Sequence, residues 1–517
     1  FLGATLVMHA QVNSKRPLTT NDFAGWKVMN NPIISGDGKY VVFELNPEKG
    51  DGSLVVKTID SKKEDLLPRG YGASFSSASD FLVYKIKQPV DSIRNAKKKK
   101  LKKEQMPKDS IGIFVFKHRK IYKYPNLKQF SLPKENAVWV AFLTDMKKQK
   151  KKTEKETDDK NSKSKSKKTD GADEAKNQLI LFNPENGDTV CYQNISEIYY
   201  APQGQSISFI RQSKDSLDRT EVLVFNTKTR ETKVIFDRLG TAKKITSDPQ
   251  GNRIGFVFSA DTAKIKTYSL YYGSLLAGEP HAVVLPAQQG LPLGWSPSEF
   301  GELSFSDNGQ HLFFGTNRIP QPEPKDTLLD DEKPMLDIWT YKDRELQPEQ
   351  KINLEKEKKR SYKAVYLTEK EKFIQLADPE IREIKTIQKG NGHVALGLDQ
   401  TPYKLSASWT GKANADYYLV DIETGIKRLI VKNKSLVALS PGGNFVVYYD
   451  PADSTYYSVS TNINSTERIK LTRQLKVIFC DERWDMPGDA PPYGIAGWTE
   501  NDKYVFIYDR YDIWRFD

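Results

Sequence analysis

The sequence has few of the residues on which enzyme active sites and metal sites usually depend. Its 517 residues include only two cysteines and five histidines. Cys191 and Cys480 lie far apart in the chain and form neither a redox motif nor a metal-binding spacing. The histidines are scattered, and none has the His-Glu spacing of a zinc protease helix. The sequence therefore predicts no metal site and no cofactor.

A serine nucleophile is missing as well. The G-x-S-x-G turn presents the catalytic serine of α/β-hydrolases. Gly72, Gly204 and Gly294 each have Ser two residues later, but none has Gly at the fifth position of the motif. No phosphate-binding Gly-rich loop is found either. We therefore expect no catalytic residue within this chain.

Long apolar runs are also missing. None approaches the roughly 20 residues that a helix needs to cross a bilayer, so we expect no integral membrane span. The chain begins F-L-G-A-T-L-V-M-H-A-Q, an apolar run that ends in a small residue. This pattern is typical of the end of a secretory signal peptide. We interpret residues 1–10 as its remnant and expect export to a periplasm or cell surface; the alternative is a disordered or strand-forming terminus.

The net charge of +12 comes from two segments. Residues 94–108 contain eight Lys or Arg and one acid, a net charge of +7, and residues 147–176 contain twelve Lys and seven acids, a net charge of +5. The rest of the chain is neutral. A nucleic-acid surface would need basic residues spread over a folded face with aromatic side chains among them. Because both segments have too few apolar side chains to pack, we predict disordered insertions and no nucleic-acid partner, rather than a polyanion site.

The chain is rich in one repeated hairpin. Residues 32–44, P-I-I-S-G-D-G-K-Y-V-V-F-E, contain an apolar strand, a tight turn around Asp37 and Gly38, and a second strand. Asp accepts backbone hydrogen bonds in turns, and Gly reaches positive φ without a steric clash. Eight further copies begin at Phe75, Leu132, Tyr200, Thr246, Phe305, Lys389, Leu439 and Trp498.

Most hairpins are followed by another alternating strand and then a basic strand, which makes units of about four strands. The third strands are predicted to start near Ser53, Gln178, Glu221, Leu336, Tyr417 and Tyr511. Such units, repeated at roughly forty to seventy residues, predict an all-β fold, a β-propeller of four-stranded antiparallel blades. We expect it to cover residues 11–517 with seven to nine blades, eight being the central expectation, and with the last blade truncated.

Residues 479–498 interrupt the repeat and form the candidate binding site. Asp481 and Glu482 lie beside Arg483 and Trp484. Arginine is a planar donor for carboxylates and carbonyls, and a carboxylate can hold a free peptide amine through a charge-assisted hydrogen bond. We predict that these four residues bind substrate. The alternative is a structural loop in which the Arg and the acids pair with each other.

Several of these features together resemble the N-terminal propeller of the prolyl oligopeptidase (S9) family of serine peptidases, in particular its large exported bacterial members. They are the S-x-D-G-K-Y hairpins, the D-I-W segments at Asp337 and Asp512, the Q-L-A-D-P-E-I segment at Gln375 and the D-E-R-W-D-M-P-G-D-A loop at Asp481. The resemblance covers essentially the whole chain.

The resemblance implies a non-catalytic propeller that gates and positions oligopeptides for a C-terminal α/β-hydrolase domain with a Ser-Asp-His triad. That domain is expected beyond Asp517, so no triad residue is assigned in this chain. The implied partners are peptide substrates and the chain's own hydrolase domain. Dipeptidyl members of the family carry paired glutamates on an inserted helix, and no such pair occurs in this setting here.

Two other classes of function remain open at this stage. A stand-alone exported propeller that binds a protein or ligand would have the same repeats. A propeller enzyme of the lactonase or glycosidase kind would place acids and a metal at its centre, and no recurring Asp, Glu or His occupies the inner-strand positions.

Overall fold

A computed structural model describes residues 16–145 and 177–517, except residues 24, 62, 214–217, 277, 322–328, 330, 331, 334, 335, 337, 463, 464, 466 and 474. Helices are few in this part of the chain. They are α1 (Thr20–Phe23), α2 (Val90–Lys98), α3 (Gln347–Lys358) and α4 (Lys404–Thr410), with short 3₁₀ turns at Lys103–Gln105, Gln388–Gly390, Thr401–Tyr403 and Glu500–Asp502. The rest of the regular structure is β-sheet.

The first of two compact units ends at Gln193 and contains three sheets. Each sheet is a four-stranded antiparallel meander. The first sheet contains β1 (Lys27–Ile34), β2 (Tyr40–Pro47), β3 (Ser53–Thr58) and β4 (Glu64–Pro68). The second contains β5 (Gly70–Phe75), β6 (Phe81–Ile86), β7 (Ser110–Val115) and β8 (Lys120–Tyr124). The third contains β9 (Leu127–Ser131), β10 (Val140–Asp145), β11 (Asn177–Phe182) and β12 (Thr189–Gln193).

The second unit begins at Asn194 and contains six sheets. Sheet four contains β13 (Ile195–Tyr200), β14 (Ser206–Ser213), β15 (Arg219–Asn226) and β16 (Thr232–Leu239). Sheet five contains β17 (Thr241–Ser247), β18 (Arg253–Ser259), β19 (Ser269–Ser274) and β20 (His281–Val284). Sheet six contains β21 (Trp295–Pro297), β22 (Ser304–Phe305), β23 (His311–Arg318), β24 (Tyr362–Leu367) and β25 (Lys372–Gln375). The two short strands β21 and β22 both pair with β23.

The last three sheets complete this unit. Sheet seven contains β26 (Glu383–Thr386), β27 (Val394–Asp399), β28 (Ala415–Asp421) and β29 (Lys427–Lys434). Sheet eight contains β30 (Val437–Leu439), β31 (Phe445–Asp450), β32 (Thr455–Ser460) and β33 (Arg468–Lys470). Sheet nine has three strands, β34 (Ile495–Trp498), β35 (Val505–Tyr508) and β36 (Ile513–Phe516).

A buried serine organises the repeated hairpin turn. In the first copy the hydroxyl of Ser35 accepts a hydrogen bond from the backbone N–H of Tyr40 at 3.0 Å, and its carbonyl accepts one from the N–H of Gly38 at 2.9 Å. Gly38 has a φ of 71°, a conformation that glycine adopts without strain. The same pair of bonds recurs at Ser306 and Ser440. Eight of the nine predicted hairpins form the first two strands of a sheet, and in sheet six the hairpin is β22 and β23, with β21 before it.

Successive sheets within a unit share apolar clusters. In the first unit, Leu82 and Tyr84 of β6 pack with Val42 of sheet one. Phe81 and Val83 of the same strand point the other way and pack with sheet three. Alternate residues of a strand face opposite sides of the sheet, so the inner strands of a sheet with two neighbours are buried on both faces. This is the packing of propeller blades.

The predicted fold class, an all-β propeller of four-stranded antiparallel blades, is confirmed. Nine sheets stand at the upper end of the predicted range of seven to nine. The central expectation was eight because the hairpins at Leu132 and Lys389 look irregular in sequence. Each of them nevertheless opens a sheet of its own.

The predicted strand near Leu336 is wrong. The third main strand of sheet six is β24, and the segment 319–361 is an insertion between β23 and β24 that carries α3. Pro348 lies in the first turn of this helix, where its missing N–H costs nothing. The Glu and Lys residues that follow favour helix, which explains why this segment does not continue the sheet.

The Lys-rich segment 94–108 also differs from the prediction, since it begins inside α2 and includes a 3₁₀ turn. Ala96 is buried, and the helix has Asp91 in its first turn and Lys97 and Lys98 in its last, as the helix dipole favours. The other predicted insertion, 147–176, and the signal-peptide remnant, 1–10, lie outside the described residues.

Candidate functional site

The loop between sheets eight and nine has a fixed base. Phe479 is fully buried in an apolar cluster formed by side chains of both sheets. Cys480 forms an isolated antiparallel bridge with Pro492. On either side, the N–H of Asp481 donates to the carbonyl of Pro491 at 2.9 Å, and the N–H of Tyr493 donates to the carbonyl of Phe479 at 3.0 Å. Residues 482–490 therefore project from a narrow, hydrogen-bonded neck.

A tight turn brings the four predicted site residues together at the start of this loop. The carboxylate of Asp481 accepts a hydrogen bond from the N–H of Arg483 at 3.0 Å, and its carbonyl accepts one from the N–H of Trp484 at 3.2 Å. Asp481 and Trp484 are half-buried, whereas Glu482 and Arg483 are exposed. An aspartate that accepts the N–H two residues on is a common turn device, so the local sequence accounts for this geometry.

The acids of this turn do not pair with the Arg483 side chain. Glu482 faces Arg510, with its Oε2 3.6 Å from Nη1. Its backbone N–H also lies 3.4 Å from the hydroxyl of Tyr493. Within the described residues, the guanidinium of Arg483 has no carboxylate or carbonyl partner. The turn is therefore ordered by backbone bonds and by Arg510, and the Arg483 guanidinium stays available.

The indole of Trp484 adds an unsatisfied donor. Its Nε1 is buried and has no acceptor among the residues that the structure describes. Buried polar groups are nearly always hydrogen-bonded, so an unpaired one marks a place where water or a ligand is expected. Sequence reasoning identified the residue but missed both this donor and the roles of Arg510 and Tyr493, which lie 26 and 9 residues further along the chain. No spacing signal links those positions.

A larger cleft of about 740 Å³ is lined by residues of sheets seven and eight. Its main cation is Arg428, whose guanidinium donates to the carbonyls of Ser460, Thr461 and Ser465 at 2.9 to 3.3 Å. The carboxylate of Asp421 accepts three hydrogen bonds from Glu423 and Thr424. The fold therefore occupies both Arg428 Nη atoms and one oxygen of Asp421. Arg428 Nε is buried and has no acceptor among the described residues.

No group of three or more His, Cys, Asp or Glu side chains among the described residues could hold a metal ion. No described helix combines the length and apolar character required to cross a membrane.

Solved structures match this chain, whereas family models and curated protein sequences do not. No protein-family model and no curated protein matches the chain. A solved eukaryotic initiation factor is 9% identical over 86% of this chain and 88% of its own, with a TM-score of 0.41. The β-propeller domain of the trilobed protease from Pyrococcus furiosus is 8% identical over 79% and 99%, with a TM-score of 0.32. Pyrococcus horikoshii acylaminoacyl peptidase is 10% identical over 80% and 53%, with a TM-score of 0.32.

These neighbours include propeller domains of peptidases, but their identities and TM-scores are low. Function is therefore inferred from the residues of this chain.

Proposed function

We propose that this chain is the propeller of an exported serine peptidase of the prolyl oligopeptidase family. In this proposal it gates and positions oligopeptides for a hydrolase domain of the same protein, and it acts in the periplasm or at the cell surface. The ordered set of sequence motifs supports the family. The observation that carries the binding role is the exposed Arg483 guanidinium, which has no partner among the described residues and stands on a loop with a fixed base.

Each residue of the turn has a chemical role in this proposal. Arg483 binds a carbonyl or carboxylate of the peptide as a planar, permanently charged donor. One carboxylate oxygen of Asp481 accepts the N–H of Arg483, and the other has no partner in the described part of the chain. It is available to a free peptide amine, which would form a charge-assisted hydrogen bond.

Glu482 is the second acceptor for that amine. Its oxygen lies 3.6 Å from Arg510, which is longer than a direct hydrogen bond. Exposed ion pairs of this kind contribute about 0–1 kcal/mol. Exchange of Arg510 for a peptide amine therefore costs little.

Labelling with a serine-directed fluorophosphonate tests the parent enzyme. The full-length protein encoded with this chain should be labelled and should hydrolyse oligopeptides. The 517-residue chain alone should do neither, because nucleophilic catalysis needs a Ser, a His base and an oxyanion hole in one geometry. If the full-length protein is not labelled and cleaves no peptide, the chain is instead a stand-alone exported propeller that binds a protein or ligand.

A further inference from the structure

The insertion 319–361 carries charged groups that the proposed function does not use. Gln347 holds its irregular part together by donating to the carbonyl of Ile338 at 3.0 Å, and the carboxylate of Asp343 lies 3.3 Å from the N–H of Thr340. Glu345 then forms an ion pair with Lys404, at the start of α4 in sheet seven. Residues 338–347 of the insertion are thus fixed to one another and, through Glu345, to α4.

Two adjoining clefts lie along this contact and share the segment Lys342–Arg344. In one of them, of about 480 Å³, the side chains neutralise each other. Glu345 pairs with Lys404, while Glu357 pairs with Arg360 and lies 3.8 Å from Arg382. The bond from Arg360 holds the pKa of Glu357 below its usual value despite the opposing effect of burial. Apart from the shared segment Lys342–Arg344, every charged side chain that lines this cleft has an ion-pair partner.

The other cleft, of about 380 Å³, has charges of both signs that are not paired. The insertion contributes Lys342, Arg344 and Asp343, and the Asp343 carboxylate accepts hydrogen bonds from Thr340 and Gln347. Glu380, which precedes β26, and Asp399, in β27, also line the cleft. Within the described residues, none of Lys342, Arg344, Glu380 and Asp399 forms an ion pair. Asp399 uses one oxygen to accept the N–H of Thr401 at 2.9 Å, which leaves its second oxygen free.

We propose that this cleft binds a small zwitterion, such as a free amino acid or a dipeptide with both ends unblocked. Glu380 and Asp399 receive its ammonium group, and Lys342 and Arg344 receive its carboxylate through charge-assisted hydrogen bonds. The two acids would repel a purely anionic ligand, and the two bases would repel a purely cationic one. The volume lies within the range of small-molecule sites, at its lower end.

An apolar side chain of the ligand also has a surface to contact. Pro402 and Leu405 line the cleft. Trp409 follows Leu405 by four residues on α4, so it lies on the same helical face one turn further on. Its side chain is 69% exposed. We therefore expect a dipeptide with an apolar residue to bind more tightly than a fully polar one.

Isothermal titration of the 517-residue chain with glycyl-leucine tests the proposal. The matched ligands are its N-acetylated form, which lacks the ammonium group, and its C-amidated form, which lacks the carboxylate. Titration up to about 10 mM detects even millimolar affinity. We expect glycyl-leucine to bind and each blocked form to bind about tenfold more weakly, as loss of one charge-assisted bond implies.

Two double variants assign the ends of the ligand. Glu380→Gln with Asp399→Asn should abolish the difference between the free and acetylated ligands but keep the effect of amidation, and the Asn can still accept the N–H of Thr401. Lys342→Gln with Arg344→Gln should give the reverse pattern. Lys57→Gln with Glu64→Gln, which removes two exposed charges from sheet one, is the control. It should change neither the ratio of the affinities for the free and acetylated ligands nor the ratio for the free and amidated ligands.

Absence of heat, or equal affinity for free and blocked ligands, would overturn the proposal and leave the four side chains as solvated surface charges. Thermal unfolding of each variant verifies that the fold is intact. The loop Asp481–Trp484 is also proposed to bind a free peptide amine, so the titrations are repeated in a chain with Asp481→Ala and Glu482→Ala. If the cleft is the site, the affinity for glycyl-leucine and the effects of the two double variants should be the same in that chain, whereas their loss there would assign the binding to the loop.

Discussion

The hairpin turns and the loop Asp481–Trp484 both place charged side chains in short turns, yet they use them differently. The carboxylate of Asp502 is 3% exposed and accepts hydrogen bonds from Ser440, Asn444 and the N–H of Gly442. It joins the turn of sheet nine to the turn of sheet eight. Arg483, by contrast, is exposed and has no side-chain partner in the described residues. The difference teaches that a buried turn carboxylate such as Asp502 links neighbouring turns of the repeat, whereas the irregular loop leaves the charge of Arg483 unpaired, as the proposed binding role requires.

The strongest test of this comparison is Asp502→Ala. It leaves several buried donors without an acceptor and should lower the free energy of unfolding by about 3 kcal/mol, measured by urea denaturation. Asp37→Ala is the matched control, because Asp37 is an exposed turn carboxylate bonded to Ser35 within its own hairpin. We expect it to cost less than about 1 kcal/mol. Equal losses would show that the bonds between the two turns contribute nothing extra.

The pH dependence of stability sharpens the same point. Burial by itself raises the pKa of Asp502, but the bonds from Ser440, Gly442 and Asn444 outweigh it, so that pKa lies below its usual value. Because its pKa is lowered on folding, ionised Asp502 stabilises the fold at pH values above the unfolded-state pKa of about 4. This stabilisation is lost as the pH falls through the pKa of Asp502 in the folded state. The stability gap between the native protein and Asp502→Asn should therefore narrow below about pH 4. A gap independent of pH would contradict the assignment.

A smaller effect is expected where the Lys-rich segment meets sheet three. Lys108 forms an ion pair with Asp145, which is 10% exposed, whereas Lys99 on the same segment has no ion pair among the described residues. Lys108→Gln should cost about 1 kcal/mol, and Lys99→Gln should be neutral within about 0.5 kcal/mol. Urea midpoints of the two variants measure the difference. A neutral Lys108→Gln would show that this ion pair adds nothing to stability beyond the pair that Asp145 forms with Lys128 at 2.8 Å.

The smallest effect on stability is expected at the loop itself. Arg510→Gln removes a partly exposed pair with Glu482 and a cation–π contact with the exposed Tyr511 ring, so the free energy of unfolding should fall by about 1 kcal/mol or less. A loss comparable to that of Asp502→Ala would show that the loop is structural.

Much of the fold could be predicted from sequence because its signals are local. A serine or aspartate with a glycine three residues later marks the turns at Ser35, Asp248, Ser306 and Ser440. The hairpins that begin at Phe75, Leu132 and Trp498 have no glycine in the turn and were predicted from a polar turn followed by an apolar strand. The strand near Leu336 was mispredicted because D-I-W has the same alternation as a true strand, and only the helix-favouring residues that follow reveal the insertion.

The candidate site could be predicted only in part. Its residue types were identifiable because four charged or aromatic residues interrupt the repeat. The pairing of Glu482 with Arg510 depends on how sheets eight and nine pack, which no local pattern encodes. The unpaired charges at Lys342 and Asp399 were missed for the same reason, because one lies in the insertion and the other in β27, and they line one cleft only in the folded chain.

The most direct test of the proposed function is a kinetic comparison on the full-length protein. Asp481→Ala with Glu482→Ala should raise KM about tenfold for peptides with a free N-terminus and leave N-blocked peptides unchanged, because only the former offer an amine to the two carboxylates. Asp485→Ala, which removes an exposed acid from the same loop, should change neither value. An equal rise in KM for free and blocked peptides, accompanied by a lower melting temperature, would contradict the binding role and show that the turn only supports the fold.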